Sequence, residues 1–71
     1  MELIGLKEIR KQRNLTQQKV ALDLAISREA LSYYENGRRS PDVDMLVKLA
    51  DYFNVTVDFL IFGSEKSRKS K

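Results

Sequence analysis

The side chains able to do chemistry in this chain are hydrogen-bonding and charged groups rather than catalytic ones. Histidine and cysteine are absent from its 71 residues. That removes the commonest general base and the best thiol nucleophile, and it leaves no ligand set for structural zinc. Carboxylates could do acid–base work, but they are scattered, and a chain this short can hardly enclose a substrate pocket. Gly5, Gly37 and Gly63 lie far apart, so they form no phosphate-cradling loop. What remains is one concentrated run. Arg28, Glu29, Ser32 and Tyr33 fall on one face of a helix, and all but part of Tyr33 can hydrogen-bond to base edges or phosphates. No enzyme is expected.

Charge is segregated along the chain. Residues 1–39 hold eight Lys/Arg and five Asp/Glu, net +3; residues 40–63 hold one Lys and four Asp, net −3; residues 64–71 hold four Lys/Arg and one Glu, net +3. A fold that keeps these regions apart has one positive face, suited to a polyanion; an unevenly solvated surface is the plain alternative. Hydrophobic residues make up 42% of the chain, enough for a core and too many for a disordered polymer. No apolar run reaches membrane-spanning length. Met1-Glu2-Leu3-Ile4-Gly5 lacks the basic and apolar regions of a signal peptide. A secreted domain this small would usually need disulfides, so a cytoplasmic protein is expected.

The elements that must position the run are helices. Leu3, Leu6 and Ile9 recur at helical spacing in a first helix over Leu3–Arg13, weakened by Gly5 by roughly 1 kcal/mol relative to Ala. Asn14-Leu15-Thr16 breaks it, and Thr16 caps a second helix, Gln17–Leu24, with Val20, Ala21 and Leu24 inward. After Ala25-Ile26, Ser27 caps a third helix, Arg28–Glu35, with Ala30, Leu31 and Tyr34 inward and Glu29 favourably in its first turn. Asn36-Gly37 ends it, Gly37 left-handed. Asp42 or Asp44 caps a fourth helix to about Phe53, with Leu46, Leu49, Ala50 and Phe53 inward. Thr56 caps a last short helix from Val57 to about Phe62. Residues 1–63 thus form one domain, and 64–71 are expected to be a disordered basic tail.

Helices two and three are the informative pair. Their hydroxyl caps, Thr16 and Ser27, stand close in sequence, and the few residues between the helices force a sharp turn instead of an antiparallel hairpin. That is the geometry of a helix-turn-helix spanning about 16–35, whose second helix enters the major groove of DNA.

From Leu6 to Leu60 the chain resembles the Cro/C1-type (XRE) helix-turn-helix domain of phage repressors and bacterial regulators. Three stretches carry the likeness: LTQQKVALDLAIS (15–27), YENGRRSP (34–41) and LVKLADYFNVTVDFL (46–60). The resemblance implies an all-α, five-helix, lambda-repressor-like DNA-binding domain. It also implies cytoplasmic location and transcriptional regulation, usually as a homodimer on inverted-repeat operators, with no cofactor. Gln17 matches a residue that grips a backbone phosphate. Arg28, Glu29, Ser32 and Tyr33 match the variable positions that read bases. Arg28 suits a guanine, and Glu29 suits a cytosine amine or acts by repelling phosphate. Asn36, Arg38 and Arg39 match the loop along the DNA backbone. Arg10 and Glu35 match a structural ion pair between helix one and the end of helix three.

Two departures matter. Ala25 stands where the family commonly has Gly, and a left-handed Ala costs roughly 1 kcal/mol or more. Little sequence follows helix five, so no inducer-binding domain and no small-molecule ligand are expected. Val57 and Leu60 should point inward, but Phe59, Ile61 and Phe62 cannot all do so on a short helix. The surplus either makes a symmetric dimer contact or folds back against Leu3 and Ile4. The expected function is a sequence-specific DNA-binding regulator, most simply a repressor. The alternative is a DNA-binding antitoxin or restriction-modification controller that works with a protein partner.

Overall fold

The computed structural model describes the backbone of residues 1–68 and the side chains of residues 1–64. Five helices follow one another: α1 (Ile4–Gln12), α2 (Gln17–Leu24), α3 (Arg28–Asn36), α4 (Val43–Phe53) and α5 (Val57–Arg68). No strand occurs among the described residues, in line with the all-α expectation.

One three-residue device makes three of the four connections. Asn14, Ala25 and Asn54 each take the left-handed conformation, with φ of 59°, 60° and 57°. The apolar residue after each sends its N–H back five residues: Leu15 to Arg10, Ile26 to Ala21 and Val55 to Ala50, each at 3.0 Å. These bonds satisfy carbonyls at the helix ends, and Leu15, Ile26 and Val55 themselves pack against the core. A hydroxyl then starts the next helix. Thr16 accepts from the Lys19 N–H, Ser27 from that of Ala30 and Thr56 from that of Phe59, at 3.0, 3.0 and 2.9 Å. The fourth connection is longer. Gly37 ends α3 left-handed, and Asp42, the first of the two candidate caps, accepts from the Met45 N–H.

The core is built from Leu3, Leu6 and Ile9 around α1, Val20 and Ala21 of α2, Leu31 and Tyr34 of α3, Leu49, Ala50 and Phe53 of α4, and Leu60 of α5. Ala30, Leu24 and Leu46, expected inward, are only half-buried. The most extensive helix contact joins α1 to α5. Gly5 makes it possible: a Cβ there would stand 1.8 Å from the Phe59 carbonyl oxygen. The residue that weakens α1 as a helix is the one that lets α5 lie against it.

The end of α5 differs from the sequence expectation. Gly63 leaves the helical region (φ 78°, ψ −177°), and helical geometry resumes beyond it to Arg68. At this break the Glu8 carboxylate of α1 accepts from the Ser64 N–H at 3.2 Å and from the Ser64 hydroxyl. The last three residues of the expected 64–71 tail, and side chains from 65 onward, lie outside the described residues.

Candidate nucleic-acid interface

The interface is assembled from α2, α3 and the loop after α3. Capping by Ser27 holds the first turn of α3 open to solvent, and Arg28 and Glu29 are both exposed there. Ser32 and Tyr33, one turn further on, are half-buried. Asn36 is exposed and donates from Nδ2 to the Ser32 hydroxyl at 3.2 Å, so these two side chains hold one another on the outer face. Arg38 and Arg39 are exposed, and both backbone N–H groups point to the Tyr33 carbonyl, at 3.0 and 3.5 Å. The Arg38 guanidinium lies 6.0 Å from the Tyr33 ring centroid, a cation–π contact that orders the side chain without neutralising it. Five of the eight expected interface residues thus belong to α3 and two to the loop that follows it.

The eighth, Gln17, sits at the first position of α2, next to Arg28: its Oε1 accepts from Arg28 Nη1 at 3.4 Å. Arg28 also lines a shallow hollow with Gln18, Ala21, Leu22 and Ile26. Its hydrogen bond therefore goes to Gln17 and not to the neighbouring Glu29.

Behind this surface lies the ion pair. Arg10 Nε donates to Glu35 Oε2 at 2.6 Å and Nη2 to Oε1 at 3.2 Å. Glu35 is 1% exposed and Arg10 8%. A third bond, from Arg10 Nη1 to the Leu15 carbonyl at 2.8 Å, ties the pair to the α1–α2 connection. Pairing keeps the only carboxylate in the last turn of α3 from opposing a polyanion, and breaking it would strand a buried charge.

Sequence reasoning missed two contacts. Gln17 Nε2 donates to Glu35 Oε1 at 3.1 Å, so the ion pair reaches the outer surface. Asp23 of α2 accepts from the Tyr52 hydroxyl of α4 at 2.6 Å and from Lys19 at 3.3 Å. The Tyr52 hydrogen bond, with Lys19 beside it, lowers the Asp23 pKa, and Asp23 raises that of Tyr52 in turn. The partners lie 18 and 29 residues apart, so no helical spacing announces them.

The expected apolar surplus on α5 separates into two kinds. Phe59 and Ile61 are half-buried against the core, whereas Phe62 is 40% exposed. Ile4 is also exposed, at 52%, and stands near the Gly63 break in α5, its Cγ2 being 3.3 Å from where a Gly63 Cβ would be. Among the described residues no cluster of acidic or other ligating side chains could hold a metal ion, and no helix is long and apolar enough to cross a membrane.

Known proteins are similar to this chain in sequence. The family described as helix-turn-helix matches residues 6–60. The HTH-type transcriptional regulator ImmR of Bacillus subtilis is 41% identical over 66 residues, which cover 93% of this chain and 52% of ImmR. The uncharacterized HTH-type transcriptional regulator YqaE of the same organism is 40% identical over 64 residues, 90% of this chain and 55% of YqaE. The cryptic phage CTXphi transcriptional repressor RstR of Vibrio cholerae is 29% identical over 66 residues, 93% of this chain and 60% of RstR. The chain thus spans little more than half the length of these curated relatives. With the sharp α2–α3 turn, the exposed first turn of α3 and this match from within α1 to the first turn of α5, the chain belongs to the Cro/C1-type helix-turn-helix family.

Proposed function

We propose that this domain binds double-stranded DNA sequence-specifically and regulates transcription, as a homodimeric repressor on an inverted-repeat operator in the cytoplasm. The observation that carries the reading is the outer face of α3. Its first turn presents Arg28 and Glu29 to solvent, with Ser32 and Tyr33 one turn behind, while Leu31, Tyr34 and Glu35 are buried on the other side. A helix so exposed at its N-terminal end is the kind that reads base edges in the major groove. Arg28 meets the acceptor pair of a guanine, and Glu29 meets a cytosine amine. Gln17, Asn36, Arg38 and Arg39 flank that face and hold phosphates, fixing register without specifying sequence.

Dimerisation rests on the exposed pair Ile4 and Phe62, with half-buried Phe59 and Ile61 beside them on α5. A two-fold contact there sets two α3 helices about one DNA turn, roughly 34 Å, apart. The same apolar surface also fits a second reading, a DNA-binding antitoxin or controller that docks a different protein. Apparent mass separates the two: a symmetric dimer supports the first and a monomer the second.

Selection of bound duplexes from a random library, at near-physiological salt and with competitor DNA, tests the whole reading. The expected result is an inverted repeat with half-sites about one helical turn apart. Absence of any enriched sequence removes sequence-specific binding.

A further inference from the structure

The hydrogen-bond chain behind the interface runs in one direction. Glu35 is a buried carboxylate, which can only accept; Arg28 carries a guanidinium, which can only donate. Between them lies one amide with one donor end and one acceptor end. Gln17 turns its Nε2 to Glu35 at 3.1 Å and its Oε1 to Arg28 at 3.4 Å. The reverse orientation would set carbonyl oxygen against carboxylate and NH2 against guanidinium. The buried end is fixed in turn, because Arg10 grips both Glu35 oxygens and the Leu15 carbonyl two residues before Gln17.

We infer that Glu35 is a positioning residue for Arg28, acting through the Gln17 amide, and so helps to set base specificity from inside the domain. The inference rests on the DNA-binding reading above. Arg28 has five N–H donors, and its bond to Gln17 occupies one of them. The remaining fork is free to face the O6/N7 pair of a guanine. Because the arginine is anchored before DNA arrives, less side-chain freedom is lost on binding. Arg10 neutralises Glu35 on its far side, so the carboxylate orients the amide without cancelling the charge on Arg28.

The test needs variants that fold. Replacing a buried ion pair by apolar residues of similar size commonly preserves a fold, so Arg10→Met/Glu35→Met removes the acceptor for Gln17 and leaves the core filled. Gln17→Met cuts the chain at its middle, removing one hydrogen bond from Glu35 but leaving the buried carboxylate paired with Arg10. Thermal unfolding establishes that each variant is folded. NMR relaxation of the Arg28 guanidinium in the free protein then reads the anchor without DNA. The ratio of affinity for the selected duplex to that for random duplex reads specificity.

Both variants should loosen Arg28 and lower the ratio about tenfold. Adding Gln17→Met to Arg28→Ala should lower the ratio no further than Arg28→Ala alone. A folded variant in which Arg28 stays as ordered as in the parent, or in which the ratio is unchanged, overturns the inference. Should the paired variant unfold, Gln17→Met alone decides by the same two readouts. Should the parent show no preferred duplex, the DNA-binding reading fails, and guanidinium order still decides whether Glu35 positions Arg28.

Discussion

The α2–α3 unit and the α1–α5 seam are held together by opposite means. α2 and α3 are adjacent in sequence, and their joint is complete within Ala25-Ile26-Ser27: a left-handed residue, an apolar plug and a hydroxyl cap. Such caps contribute about 1 kcal/mol each. The outward parts of α2 and α3 are polar apart from the exposed Leu22 of α2. α1 and α5 come from opposite ends of the described chain and meet through the fully buried Leu3, Leu6 and Leu60, each contributing about 1.5–3 kcal/mol by burial. Their approach depends on the absent side chain of Gly5. The comparison teaches a division of labour. Local devices set the shape of the recognition unit, while long-range burial supplies the stability that keeps the shape populated. The Arg10–Glu35 pair, linking α1 to α3, connects the two.

The seam should therefore respond more strongly to substitution than the joint. Gly5→Ala is the sharpest case, because propensity and packing predict opposite signs. In an exposed helix interior Ala is better than Gly by about 1 kcal/mol. Here the added methyl meets the Phe59 carbonyl oxygen at 1.8 Å, and overpacking should destabilise the domain by about 3 kcal/mol or more. Urea unfolding measures it, and a stabilised variant would mean that α1 and α5 can separate freely. Glu35→Met comes next. It leaves Arg10, 8% exposed, without its carboxylate, and should destabilise by about 3 kcal/mol. Adding Arg10→Met should restore most of that loss. If the single variant is as stable as the parent, the pair does not join the two regions energetically.

These two regions were not equally legible in the sequence. The hydroxyl caps at Thr16, Ser27 and Thr56 act on their own helices, so a few residues suffice to announce them, and the helix bounds came within a residue or so through α4. The expected interface residues fall together for the same reason, since α3 and the loop after it carry seven of the eight. Gly5 read only as a weak helix position, because the reason for it lies on α5. The contacts of Gln17 with Glu35 and of Asp23 with Tyr52 were invisible, since periodicity says which face a residue occupies and not what crosses to meet it. Phe59 and Ile61 read as surplus because a short helix has one core face, whereas α5 is covered along a wider arc by its close contact with α1.

Ala25 tests how far a local rule can be overridden. It takes φ 60°, ψ 39°, nearly the geometry of Asn54 at φ 57°, ψ 48° in the equivalent turn before α5. Asn tolerates this region and Ala does not, so the turn is imposed by the Ile26 plug and the Ser27 cap on either side of the strained residue. Ala25→Gly should relieve the strain and stabilise the domain by about 1 kcal/mol, read as a raised urea midpoint with unchanged slope. A loss of stability would place the strain elsewhere in the turn.

The smallest expected effect concerns the tie between α2 and α4. Tyr52 donates to Asp23 at 2.6 Å, and Tyr52→Phe removes that bond while keeping the ring and its edge-on contact with Phe53. The hydrogen bond holds the Asp23 carboxyl below its ordinary value of 3.8 and the Tyr52 hydroxyl above its ordinary value of 10.0. A lowered folded pKa at Asp23 means stability present above 3.8 and lost as pH falls through the folded value. A raised one at Tyr52 means stability present below 10.0 and lost as pH rises through the folded value. The parent should thus be more stable than Tyr52→Phe by a constant, small margin from about pH 5 to about pH 9, with the margin shrinking at both extremes. Denaturation of the two proteins across that range measures it. A margin that widened toward acid would mean that the neutral Asp23 carboxyl, not the carboxylate, is the better partner of Tyr52.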